Sequence, residues 1–139
     1  MKEIELKEDI KLLLVKAKSF PDGVVPAYQD LERAIGNPNG RHFFGISRGE
    51  NGGGIIYWAG VLPINGEEDR LGLEKFTVKK GSYVAEKLTD WRGREHVIGE
   101  AFQKLLTDPR LDPQGYCVED HHSNGDVTCM VKIRNQHAL

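Results

Sequence analysis

Glu119 stands in a strand-like stretch, Tyr116-Cys117-Val118-Glu119-Asp120-His121. Alternation along a strand puts it on one face with Cys117 and His121. A carboxylate on such a face can receive a cation or a hydrogen-bond donor, and it attracts a cation far more strongly when removed from water. The same group can position or deprotonate a water molecule. The plainer alternative is a surface glutamate paired diagonally with Lys132 across a hairpin. His121 is placed to hydrogen-bond to Glu119, whereas the adjacent His122 faces the other way.

Trp91 lies in the polar stretch Thr89-Asp90-Trp91-Arg92-Gly93. A tryptophan there either folds over the core or closes a pocket, since pocket walls are commonly aromatic. None of His42, His96, His121, His122 and His137 has a Cys or His partner at metal-ligand spacing, so no metal or cofactor is expected. Gly52-Gly53-Gly54 joins two strands and lacks the Gly-Lys-Ser/Thr and following helix of a phosphate loop. There is no Gly-x-Ser-x-Gly nucleophile elbow.

The elements that must carry these residues read as two similar halves, about 1–65 and 70–139. Ile10–Val15 is a strand, and Phe20-Pro21-Asp22-Gly23 is a turn. Val24, Tyr28, Leu31 and Ile35 then mark one face of a helix that Gly36 to Gly40 end. Strands follow at Phe43–Arg48 and Ile55–Leu62. After the polar connector Asn65–Asp69, the second half has strands at Leu73–Val78 and Tyr83–Leu88. Val97, Ile98, Ala101, Phe102, Leu105 and Leu106 form its helical stripe, and Pro109 stops it.

A last hairpin runs from Tyr116 to Ile133. A turn centred on Asn124-Gly125 sets Glu119 opposite Met130, Cys129 opposite Asp120 and Cys117 opposite Lys132. Cys117 and Cys129 then lie on different faces and cannot bridge. Tyr116, Val118, Val131 and Ile133 suit the helix-packed face, which leaves Glu119 and Met130 on the other. The expected fold is α+β: duplicated βαββ units in one antiparallel sheet, two helices on one face, a cleft at the seam. The register of Tyr57 and Trp58 is left open by the glycine-rich loop.

The bulk numbers narrow the classes. The chain has 139 residues, 39% of them apolar and 29% charged, as in an ordinary single globular domain. Its net charge of −2 argues against direct nucleic-acid binding. No apolar run is long enough to span a membrane, and the charged start Met1-Lys2-Glu3-Ile4-Glu5 lacks a signal-peptide core. A cytoplasmic location is therefore expected.

Several stretches together resemble the GyrI-like effector-binding domains of multidrug regulators. They are Phe76-Thr77-Val78-Lys79-Lys80-Gly81-Ser82-Tyr83-Val84, the segment Trp91–Leu106, Tyr116–Glu119 with Asp126–Ile133, and Tyr57-Trp58-Ala59-Gly60-Val61. The resemblance runs from about Ile10 to Ile133. It implies a stand-alone member with a cleft along a pseudo-two-fold axis. It also implies that Glu119 meets cationic, hydrophobic ligands there, with Trp91, Tyr83, Tyr57 and Met130 around it. Many members carry a tyrosine where this chain has His121.

The function expected is small-molecule effector binding, linked to transcription regulation, drug sensing or sequestration. The partners are a hydrophobic or cationic compound and, beyond it, a second copy or a separate regulatory protein. The resemblance also implies a hydrolase alternative, in which Glu119 with Trp91 opens reactive cyclopropane rings. A third reading is a macromolecular interaction protein of the topoisomerase-inhibitor type. Its acidic candidate, Glu67-Glu68-Asp69, reads as a solvated loop.

Overall fold

The computed structural model describes residues 1–134. His137 lies outside the described residues. Eight strands form one antiparallel sheet: β1 (Lys2–Leu6), β2 (Ile10–Lys16), β3 (Phe43–Gly49), β4 (Ile55–Val61), β5 (Glu74–Val78), β6 (Gly81–Leu88), β7 (Cys117–His121) and β8 (Val127–Lys132). Three helices accompany them: α1 (Val24–Ile35), the four-residue α2 (Glu67–Arg70) and α3 (His96–Leu105). The fold is α+β, as expected.

The strand order is β1-β6-β8-β7-β3-β4-β2-β5. The triplets β6-β8-β7 and β3-β4-β2 run in mirrored order about the β7–β3 pair. β5 ends this order and β6 is second from its other end, yet only Lys79 and Lys80 separate them. Two residues span at most about 10 Å, so the sheet curls until its ends approach. The bend is a register step. Leu6 pairs with Gly81 and Ile10 with Val78, so Lys7, Glu8 and Asp9 stand opposite Lys79 and Lys80. An extra residue on one strand bends the ladder. The Lys80 amide donates to Asp9 Oδ1 at 2.8 Å and fixes the corner.

Curling gives the sheet a filled inner face. Leu12, Leu14, Phe44, Ile46, Trp58, Val78, Tyr83, Ala85, Val118 and Met130 pack there, with Ile4 and Leu6 of β1 against them. β1 was not foreseen, because its charged Lys2, Glu3 and Glu5 mask the Ile4/Leu6 alternation. The outer face carries the helices. α1 covers Leu13, Tyr57, Ala59 and Val61 with Ala27 and Leu31, and Tyr28 and Ile35 lie beside them. This is the predicted helix, ended by Gly36 at φ 89°. α3 covers Val84, Cys129, Val131 and Ile133 with Ala101, Phe102 and Leu105. Leu106, assigned to that stripe, is 49% exposed.

The polar connector is not merely solvated. Glu67 in α2 is 3% exposed and accepts from the two terminal Arg41 guanidinium nitrogens, at 2.6 and 3.1 Å. The Ile64 amide adds a third bond at 3.0 Å.

Candidate functional site

The last hairpin turns one residue earlier than expected. The His122 amide donates to the Asp126 carbonyl, and Gly125 takes φ 95° between them. A three-residue loop with a left-handed glycine replaces the two-residue turn. A one-residue slip moves every side chain of one strand relative to the other. Glu119 therefore opposes Cys129, Val118 opposes Met130, and Cys117 opposes Val131.

This overturns the expected placement of Glu119. Val131 and Ile133 do face the helices, but Val118 and Tyr116 pack on the inner face, and Glu119 points toward the helices. Cys117 and Cys129 share the outer face rather than being on opposite faces; both are free thiols. Burial pushes Cys117 up to about 11 and Cys129 higher still. Tyr83 and Met130 do not join Glu119; both lie in the inner core, where the Tyr83 hydroxyl donates to the Lys79 carbonyl. Burial, with smaller contributions from the Asp9 and Asp112 charges, raises the Tyr83 hydroxyl to about 12.

Glu119 is 7% exposed, at the β7–β3 seam, opposite Gly45. Its Oε1 accepts from the Tyr57 hydroxyl at 3.0 Å and lies 3.1 Å from His121 Nε2. The Tyr28 hydroxyl of α1 lies 2.9 Å from that of Tyr57 and donates to the Phe44 carbonyl at 2.8 Å. Burial first, and the nearby carboxylate as well, raise both tyrosines well above their ordinary range, so both remain hydroxyls. Among the described residues no Lys or Arg pairs with Glu119, and Lys132 lies instead 3.8 Å from Asp112.

Aromatic rings wall the site. His121 lies 5.7 Å from Trp91 and 6.2 Å from Tyr28, centre to centre. The half-exposed Phe20 ring stacks on Tyr57 at 5.9 Å. The Trp91 indole donates to the Gly125 carbonyl at 2.8 Å, which pins the loop before α3 to the hairpin turn. Tyr57 and His121 thus contact Glu119, and Trp91 lies beyond them against the His121 ring.

Tyr28, Phe20 and Gly45 went unassigned. A Cβ on Gly45 would lie 2.1 Å from the Tyr57 hydroxyl and 2.8 Å from Glu119 Oε1. An isolated glycine inside a strand, between Phe44 and Ile46, is the available signal of such a close approach. Tyr28 had been absorbed into the packing face of α1.

On the opposite sheet face His42 Nε2 meets Asp120 Oδ1 at 2.6 Å, and His122 bonds to Thr128 at 2.7 Å. Cavities of about 360 and 390 Å³ open near Lys11 and Pro63, and Glu119 lines neither. Among the described residues no group of three or more His, Cys, Asp or Glu is arranged to hold a metal ion. No described helix is long and apolar enough to cross a membrane.

No family model matches the chain, and no curated protein matches it in sequence. Solved structures do match in shape. An integron cassette protein from the mobile metagenome of Vibrio cholerae superposes with a TM-score of 0.65 at 13% identity, over 96% of this chain and 95% of that one. A hydrolase from Listeria innocua superposes with a TM-score of 0.55 at 12% identity, over 96% of this chain and 90% of that one. At these identities the likeness is one of fold alone.

Proposed function

We propose that this chain is a small-molecule binding domain of the GyrI-like type, which takes a hydrophobic organic cation at Glu119. One observation carries the reading. Glu119 is a buried carboxylate whose neighbours are neutral donors, a histidine and aromatic rings, with no Arg or Lys paired to it among the described residues. A buried charge is costly unless paired, so the site favours an incoming cation. Aromatic faces add cation–π attraction for a bulky organic cation.

The mirrored strand order supports a duplicated βαββ reading, with β2-α1-β3-β4 repeated as β6-α3-β7-β8. On this reading the ligand meets Glu119 at the β3–β7 seam on the helix side, near the Tyr57 and His121 rings. Binding there would sequester the compound or report it to a regulatory partner.

The test is a thermal-shift screen with lipophilic cations and matched neutral compounds. Ligands that bind only the native state raise the melting temperature by mass action. Cations should do so in the wild type and not in Glu119→Gln. Equal shifts in both proteins, or none in either, would sink the reading.

A hydrolase is the second reading, favoured by the carboxylate and imidazole 3.1 Å apart, which is general acid–base equipment. Recovery of the bound compound unchanged after long incubation counts against it.

A further inference from the structure

We propose a second site on the other sheet face: His42, oriented by Asp120, is a general base that hydrolyses small apolar acyl esters in the cavity of about 390 Å³. The proposal does not rest on Glu119, which does not line that cavity.

The chain itself opens this cavity. β2 pairs with β4 only from Leu13 to Lys16. Pro63 has no N–H with which to extend the ladder. Asp9, Ile10 and Lys11 therefore lose their β4 neighbour, and the cavity lies between them and His42, Phe44 and Leu62.

The β3–β7 seam fixes the imidazole from two sides. Phe44 and Asp120 stand opposite each other there. The His42 ring lies on the Phe44 ring, 4.5 Å centre to centre and 25° from parallel. Its Nε2 lies 2.6 Å from Asp120 Oδ1. A neutral imidazole that donates Nε2–H to a carboxylate carries its lone pair on Nδ1. No described residue bonds to Nδ1. The side chain is 41% exposed, so water and substrate reach it.

The groups around His42 are Asp120 from β7, with His122 3.9 Å from the same oxygen, and Asp9 and Lys11 across the cavity. Asp9 Oδ1 accepts from the Lys80 amide. Lys11 forms no ion pair among the described residues, so its charge is available to an ester carbonyl oxygen as that oxygen becomes negative. Ile10, Phe44 and Leu62 wall an apolar acyl chain.

In the reaction a water oxygen bonds to the ester carbonyl carbon while His42 Nδ1 takes the water's proton. The ester C–O bond then breaks, and the leaving oxygen takes that proton from Nδ1. Water is the one co-reactant. His42 is the catalytic residue and Asp120 a positioning residue.

The experiment is steady-state hydrolysis of p-nitrophenyl acetate, butyrate and hexanoate from pH 5 to 8.5. Turnover should saturate, and kcat/KM should rise with acyl length. The rate should rise with pH as the imidazole loses its proton, then level off. His42→Gln keeps a donor for Asp120 and should lower kcat/KM about 100-fold or more. Asp120→Asn should lower kcat and leave KM near the wild-type value. His96, exposed on α3, is the control, and His96→Gln should hydrolyse as wild type. Turnover that does not saturate, or that is equal in His42→Gln and the wild type, overturns the proposal. An equal loss in His96→Gln overturns it as the chemistry of any surface imidazole. A rate lost in Glu119→Gln and kept in His42→Gln overturns it by moving the chemistry to Glu119.

Discussion

Glu67 and Glu119 are the two acidic residues buried as whole residues among those described, at 3% and 7% exposure, and their surroundings differ in kind. Glu67 is clasped by the Arg41 guanidinium and the Ile64 amide. Its charge is answered permanently, and it ties the connector before β5 to the segment before β3. Glu119 is answered by a tyrosine hydroxyl and a histidine, neither of which is a fixed cation. Burying a carboxylate with its cation makes a latch. Burying one without a fixed cation leaves its charge open to a further partner. The comparison teaches that burial alone does not describe a carboxylate; the permanence of its countercharge must be read with it.

The comparison breaks most easily through matched amides. Glu67→Gln leaves Arg41 buried without its carboxylate and should cost about 3–5 kcal/mol in urea denaturation. Glu119→Gln strands no fixed cation and keeps an acceptor for Tyr57, so it should cost less than about 1 kcal/mol. Equal losses would make Glu119 a second latch.

Next in size is Gly45→Ala. The added methyl group collides with the Tyr57 hydroxyl and the Glu119 carboxylate. Overpacking of this kind costs about 1–3 kcal/mol. Cation binding should be lost with it, whereas a protein that denatures as wild type and still binds would remove Gly45 from the site.

Acid separates the two carboxylates further. The Arg41 hydrogen bonds chiefly hold Glu67 below its ordinary 4.5. A depressed folded-state value contributes stability that is fully present above the unfolded value and is lost as pH falls through the folded one. Stability measured from pH 5 downward should therefore decline in the wild type and decline less in Arg41→Met. Identical acid profiles for the two would show that the latch carries no proton linkage.

The smallest effect sharpens the other side. Burial first, with the Glu119 charge contributing, holds the Cys117 thiol at about 11. Iodoacetamide should label it slowly at pH 8, and Glu119→Gln should speed labelling by less than about tenfold. No change at all would mean that Glu119 carries little charge at rest.

Local chemistry made much of this molecule legible. The spacing of Val24, Tyr28, Leu31 and Ile35 is the period of α1, and Gly36 stops it where a left-handed residue is needed. The alternation at β3, β4, β7 and β8 also stood out, as did the pairing of Glu119 with His121, because residues two apart on a strand must share a face. The face itself was not legible. It depended on whether the turn at Ser123 to Gly125 holds two residues or three, and one residue of register exchanges inside for outside. Met130 and Tyr83 were misplaced through that step and the curl of the sheet. Glu67 was misread because its partner, Arg41, is distant in sequence.

The sequence by itself determined α1, α3 and every described strand but β1, their α+β class and the presence of a candidate carboxylate beside a histidine, because these follow from local spacing and side-chain chemistry. Tertiary structure decided that Glu67 is clasped by Arg41 and that Glu119 is paired with no Lys or Arg among the described residues. It also decided that Tyr57, Tyr28 and Gly45 meet Glu119 at a strand seam. Those outcomes depend on register and on contacts between residues distant along the chain, for which local patterns carry no term.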